Sequence, residues 1–182
     1  MKEAVEIASV EGLDGLSFGA LALRASISKS GIATLFGSKE QLQLATVAAA
    51  REVFRLRVVE PARQRNAGID RIRGLLDAWL AYSRERVFGG GCFFVSASAE
   101  YDSKSGPIRD SIVAAVEEWH TYLAREIRRA VELGQLQQVD VDQFVFETTA
   151  FLETANARSL LTSSLAPYES AKRALGRLYG EW

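Results

Sequence analysis

The sequence predicts an all-α protein of about nine helices, and three observations carry that expectation. Apolar residues recur every three or four positions over long stretches, and no stretch alternates with period two beside hairpin signals. Proline occurs only at Pro61, Pro107 and Pro167, each between two helix-like stretches, so breaks are few and well placed. Serines stand at Ser17, Ser28 and Ser38, each just ahead of an apolar-periodic run, where a helix needs an N-cap.

The elements follow in order. Residues 2–11 put Ala4, Ile7 and Ala8 on one face, and Gly12 supplies a C-terminal stop. Ser17 caps a short helix at about 18–25, with Phe18, Leu21 and Ala22 on its apolar side. Ser28 caps another at about 29–35, with Ile32 and Leu35 inward. Ser38 opens a longer helix that runs towards Pro61, and Gln41 three residues on makes a capping box. Residues 67–87 carry Ile69, Ile72, Leu76, Trp79, Leu80 and Val87, and Gly89-Gly90-Gly91 breaks that helix. Residues 93–101 form a short helix, and 102–107 form a loop. Ile108, Ile112, Val116, Trp119, Leu123, Ile127 and Val131 then step along one long helix to Gly134. Helices at 141–163 and 168–180 complete the chain.

Composition narrows the function. The chain has 182 residues, 48% of them apolar and 25% charged, which is ordinary globular usage. Lys and Arg number 22 against 23 Asp and Glu, so a uniformly basic nucleic-acid coat is excluded, although one basic edge is not. A single cysteine, Cys92, excludes an internal disulfide, and a single histidine, His120, excludes a multi-imidazole metal site. No apolar run approaches membrane-spanning length and no leader pattern opens the chain, so the expected compartment is the cytoplasm. No phosphate-binding loop, dinucleotide fingerprint or HExxH motif occurs, and no metal or cofactor is expected. Enzyme chemistry would have to rest on His120 in mid-helix or on Cys92 beside Phe93-Phe94, and both read as packed residues.

The unit from Ser17 to Phe36 is helix, tight turn, helix, with Ile27 as the apolar turn residue that locks the two together. The second helix opens Ser28-Lys29-Ser30-Gly31, which gathers hydroxyls, an ammonium and free amides at the positive end of a helix dipole. Ser38-Lys39 repeats the arrangement at the next helix start. Two capped helices in a bundle would look the same by spacing alone.

The residues that go further are Gly12-Leu-Asp-Gly-Leu-Ser17-Phe-Gly-Ala-Leu-Ala22, Ile27-Ser-Lys-Ser-Gly-Ile32 and Phe36-Gly-Ser-Lys-Glu40-Gln-Leu42. In order and spacing they resemble the amino-terminal domain of the TetR/AcrR-type transcriptional regulators. The segment Gly91-Cys92-Phe93-Phe94, with Ala97 to Tyr101 and Gly106 to Asp110, resembles a C-terminal domain of that family more loosely. The resemblance implies a helix-turn-helix domain at 1–42 and a ligand-binding and dimerisation domain at 43–182. It also implies a homodimer on a near-palindromic double-stranded DNA operator, released by a small-molecule inducer, with no membrane partner. Carried onto this chain, Ser28, Lys29, Ser30, Gly31 and Thr34 approach bases or nearby phosphates, and Ser17 and Lys39 contact phosphates. Phe18, Leu21, Ile32 and Phe36 hold the core of that domain. The chain departs from the family at Ala33, where an aromatic is usual, and at Leu35, where His or Tyr is common. Its first 60 residues hold 7 basic and 7 acidic side chains.

Two further residue sets are expectations. Trp79, Tyr82, Phe93, Trp119, Tyr122 and Phe151 are candidates to line an inducer pocket, because aromatics on neighbouring helices often enclose apolar cavities. The helix at 141–163 is apolar on more than one face and needs cover on more than one face. Phe146, Phe151, Arg158 and Leu161 there, with Leu175 and Leu178 of the final helix, are candidates for a dimer interface. The alternative is a helical interaction protein of the same fold whose DNA binding is weak or lost.

Overall fold

The computed structural model describes residues 1–180. Among these every regular element is helical. They are α1 (Lys2–Gly15), α2 (Phe18–Ala25), α3 (Lys29–Phe36), α4 (Lys39–Phe54), α5 (Glu60–Arg63), α6 (Ile69–Arg84), α7 (Phe93–Tyr101), α8 (Pro107–Glu132), α9 (Val141–Thr162) and α10 (Ala166–Tyr179). A π-helical turn, Arg55–Val59, makes α4 and α5 one continuous run, so the expected all-α fold is observed. The π turn has a cause. Pro61 has no N–H to give to the carbonyl four residues back, and its ring crowds that carbonyl. The chain widens ahead of it, and the Glu60 N–H reaches the Arg55 carbonyl, five residues back. The Glu60 carboxylate then takes both Arg55 and Arg63, the latter at 2.9 Å.

The residues group into two compact units: 1–53 with 88–116, and 54–87 with 117–180. In the first, Ala4, Ile7, Leu16, Leu21, Ile32 and Leu42 form a buried cluster, flanked by half-buried Phe18, Ala20, Ala22, Ala25 and Phe36. Each fully buried leucine or isoleucine there contributes roughly 1.5–3 kcal/mol. In the second, α6 and α8 bury Ile72, Leu75, Leu76, Leu123 and Ile127, and α9 packs on α10 through Leu152, Ala155, Tyr168 and Leu175. A buried polar network ties α6, α9 and α10 together. Ser83 Oγ bonds Asn156 Oδ1 at 2.7 Å and Tyr168 Oη at 2.8 Å. Arg86 donates to Tyr168 Oη at 3.0 Å and to Ser159 Oγ at 2.9 Å.

Several expectations are corrected. The expected stop at Gly12 is observed, since the helix breaks there at φ +80°, but a further helical turn follows to Gly15. Leu35 is not inward but 75% exposed, and Ile27 is 56% exposed rather than a buried lock. An eight-residue helix presents one narrow line to its neighbours, and Ile32 alone in α3 is fully buried. The α6 helix stops at Arg84, before the three glycines, and Arg86 takes up φ +53° in the turn that follows. The capping box at Ser38 is half made. Ser38 Oγ accepts from Gln41 N at 3.1 Å, while the Ser38 N–H donates to the Phe36 carbonyl at 2.8 Å, so it does not wait for the Gln41 side chain.

Candidate nucleic-acid interface

The helix-turn-helix is built by its caps. Ser17 Oγ accepts the Ala20 N–H at 3.1 Å and starts α2. The α2 helix closes on Ser26 in the left-handed region, φ +55°, which reverses the chain into the turn. Ser28 Oγ accepts the Gly31 N–H at 3.1 Å and starts α3. Both serines satisfy an amide that a helix start leaves orphaned, each cap contributing about 1 kcal/mol. The first turn of α3 therefore stands at the surface with its dipole pointing outward.

Ser17, Ser28, Lys29, Ser30, Gly31, Thr34 and Lys39 are all exposed. The structure gathers five of them, Ser28 to Gly31 with Thr34, on α3 and its cap. Lys29 has no ion-pair partner among the described residues, so its ammonium is available to an anion. Thr34 Oγ1 donates to the Ser30 carbonyl at 2.9 Å, which leaves its lone pairs and γ-methyl facing outward. Ser30 Oγ lies 3.4 Å from Ser28 Oγ. Lys39 is differently employed: its Nζ donates to the Asp14 carbonyl at 2.6 Å.

That carbonyl belongs to a clamp which sequence reasoning missed. The loop after α6 and the helix α7 grip α1 along its length. The Gly89 N–H donates to both carboxylate oxygens of Glu6 at 3.2 and 3.1 Å, and the Gly90 N–H donates to Ser9 Oγ at 3.2 Å. The Glu100 carboxylate accepts the Leu13 N–H at 2.7 Å and the Asp14 N–H at 2.8 Å, so it caps the helical turn that restarts after Gly12. Tyr101 Oη donates to Asp14 Oδ1 at 3.0 Å, and Lys104 Nζ bonds Asp14 Oδ2 at 2.7 Å. The Lys104 hydrogen bond holds the Asp14 carboxyl below its ordinary range, helped by Tyr101 and opposed by burial. Burial first, then the Asp14 carboxylate, pushes the Tyr101 phenol well above its ordinary value. Gly90 needs to be glycine for space: a Cβ there would overlap the Ser9 backbone carbonyl. The only sequence signal was the glycine run itself, read as a helix breaker.

The expected pocket residues divide between the units. In the second, Phe54 packs edge-to-face on Tyr82 at 5.7 Å and on Trp119 at 5.3 Å. Trp79, Tyr82 and Tyr122 are buried, and Trp119 and Phe151 are half-buried. Arg125 and Arg63 lie over the Tyr122 ring at 4.4 and 5.9 Å. Burial lowers the His120 pKa, against a raising influence of Glu117. Phe93 belongs to the first unit, where it is buried and stacks edge-to-face on Phe94. A surface cavity of about 370 Å³ in the second unit lies elsewhere, between Asp77, Leu80 and Arg84 of α6 and Tyr168, Glu169 and Lys172 of α10. Four of its charges form ion pairs, Asp77 3.6 Å from Lys172 and Arg84 3.5 Å from Glu169.

The expected interface residues also divide. On α9, Phe146 is 67% exposed, Leu161 is 87% exposed and Arg158 is exposed, while Phe151 is half-buried. On α10, Leu178 is half-buried and Leu175 is fully buried in the chain's own core, with no surface to offer a partner. No group of three or more His, Cys, Asp or Glu among the described residues is placed to hold a metal ion. No described helix is long and apolar enough to cross a membrane.

The family model described as "Tetracyclin repressor-like, C-terminal domain" matches residues 68–175. The chain belongs to the TetR family of transcriptional regulators. Its fold agrees along the whole length. A TetR transcriptional regulator from Chloroflexus aurantiacus J-10-FL superposes with a TM-score of 0.88 at 25% identity, covering 97% of this chain and 89% of that one. AibR, solved in complex with isovaleryl coenzyme A and operator DNA, superposes at 0.80 and 17% identity, covering 100% and 96%. E. coli NemR in its reduced form superposes at 0.80 and 20% identity, covering 99% and 94%. No curated protein sequence matches the chain. In this TetR-family chain the matched C-terminal domain covers residues 68–175, and the helix-turn-helix of α2 and α3 precedes it.

Proposed function

We propose that this chain is a ligand-responsive transcriptional regulator, most simply a repressor, that binds a near-palindromic operator as a homodimer in the cytoplasm. A small apolar or amphipathic ligand releases it. Residues 1–42 are its DNA-binding part, and residues 43–182 bind ligand and dimerise. The observation that carries this reading is the serine-capped helix α3, exposed at Ser28, Lys29, Ser30, Gly31 and Thr34, whose side-chain hydrogen bonds stay within the helix and its cap. A helix of that length, held by a bracing α2, has the dimensions to enter a major groove. AibR supports it by analogy, as a relative in fold whose structure holds both an acyl-coenzyme A and an operator.

In this reading Ser17 and Lys39 contact phosphates, and Lys39 exchanges the Asp14 carbonyl for a phosphate oxygen when DNA arrives. The exposed apolar side chains Phe146 and Leu161 face the second copy. The aromatic cluster around Phe54, Trp79, Tyr82 and Trp119 is where an apolar ligand would act. Two recognition helices must meet major grooves about 34–36 Å apart, so a small shift weakens both contacts at once.

The test is selection of bound duplexes from a random library, followed by a salt titration on the enriched site. A palindromic consensus, bound by a dimer with affinity falling steeply as salt rises, is the expected result. No enrichment would leave the second reading: a helical interaction protein of the same fold.

A further inference from the structure

Leu35 is the residue on α3 that the helix has no structural use for. It is 75% exposed, although Ile32 in the same helix is buried and Phe36 half-buried. It lies one turn beyond Gly31, and side chains on a helix lean towards the N-terminus, so its isobutyl group leans over the exposed surface on the Gly31 side of the helix. The rest of the exposed surface of α3 is short of readers. From Ser28 to Phe36 there is no Arg, Asn, Gln, Asp, Glu or His, so no side chain there forms the bidentate pair with adenine, and Lys29 at the N-terminal end is the one side chain able to reach guanine O6 and N7. Lys29 and the serines stand at the N-terminal end. Beyond them the exposed groups are the γ-methyl of Thr34, whose hydroxyl hydrogen is committed to the Ser30 carbonyl, and the two methyls of Leu35. Apolar carbon in a major groove has one specific partner among the base edges, the 5-methyl group of thymine.

We infer that Leu35 sets operator specificity by packing on a thymine methyl group in each half-site. The inference rests on the DNA-binding reading above and adds the base feature that is read. The experiment uses the full chain and its enriched duplex, in which each thymine is replaced in turn by 2′-deoxyuridine. That change removes one methyl group and leaves every hydrogen-bonding atom in place. Wild type is expected to lose about fourfold in affinity at one position of each half-site, the worth of one buried methyl group, and about sixteenfold when both half-sites carry the change. Leu35→Ala, at an exposed position, is expected to bind the thymine and uracil duplexes equally. Equal binding of both duplexes by wild type at every position overturns the inference while leaving DNA binding intact. Undiminished discrimination by Leu35→Ala overturns it too, by assigning the contact to another group. Failure to enrich any duplex overturns the DNA-binding reading itself and this inference with it.

Discussion

Replacing Gly90 with alanine isolates the contact between the post-α6 loop and α1. The backbone dihedrals of Gly90 are not in the left-handed region, so the effect is one of space. A Cβ there overlaps the Ser9 carbonyl, which is helix backbone and cannot swing aside. The loop must withdraw further than a hydrogen bond tolerates. The bond from Gly90 N–H to Ser9 Oγ, at 3.2 Å, is then lost, and the pair from Gly89 N–H to Glu6 is stretched. Overpacking costs about 1–3 kcal/mol, and loss of these partly exposed bonds adds about 1 kcal/mol, so about 3 kcal/mol is expected in all. In a chain of this size each kcal/mol moves Tm by about 2–4 °C, which gives a fall of about 6–12 °C by calorimetry. Gly89→Ala is the control. Its Cβ would lie 2.6 Å from Glu6 Oε1, the end of a flexible side chain that can move, so its cost is below about 1 kcal/mol. Equal Tm values for the two variants, or a fall below about 2 °C for Gly90→Ala, would refute the steric argument.

Glu100→Ala leaves the Leu13 and Asp14 amides without their carboxylate, and a loss of about 2 kcal/mol is expected in a urea titration. Asp14 is held below its ordinary pKa of 3.8 by Lys104 foremost, so its stabilisation is complete above that value and disappears as pH falls through the lowered one. Asp14→Asn, compared with wild type by acid titration, is therefore expected to lose stability at neutral pH and to converge with wild type in strong acid. His120 has the opposite logic. Burial lowers its folded pKa below 6.5, so the unfolded chain binds the proton first and stability falls as pH drops through 6.5. His120→Gln should flatten that fall between about pH 7 and 5 in thermal melts. Phe146→Glu with Leu161→Glu, at 67% and 87% exposure, should leave the monomer's melting nearly unchanged and abolish the dimer in light scattering, if these side chains meet a second copy.

What could be read from the sequence was local. Ser17, Ser28 and Ser38 each cap the helix expected of them, because a cap is decided within four residues and its chemistry is written there. The long helices α8 and α9 were legible for the same reason, since periodicity over many turns leaves little freedom. Ile27 and Leu35 were misplaced because periodicity says that a residue is apolar, and only the neighbours decide whether anything covers it. The clamp was illegible. Glu100 reads as a solvated helix residue until its acceptor role is seen, and the amides it holds are 87 and 86 residues away. Lys39 was assigned to phosphate on its position beside a cap, and nothing local announced the Asp14 carbonyl.

The Glu100 clamp also supplies a clock. Amide protons inside a helix exchange with solvent deuterium when the helix frays or the whole domain opens, so their exchange reports two events mixed together. The Leu13 and Asp14 protons are held instead by a side chain from α7, in a turn set apart from the rest of α1 by Gly12. Their exchange is timed by one event, the parting of α7 from the end of α1. Any compound that loosens this joint would quicken deuterium uptake at those two positions while the amides of Val5 to Ser9 kept their pace. Two atoms thus give a direct signal for screening effectors before any target DNA is known.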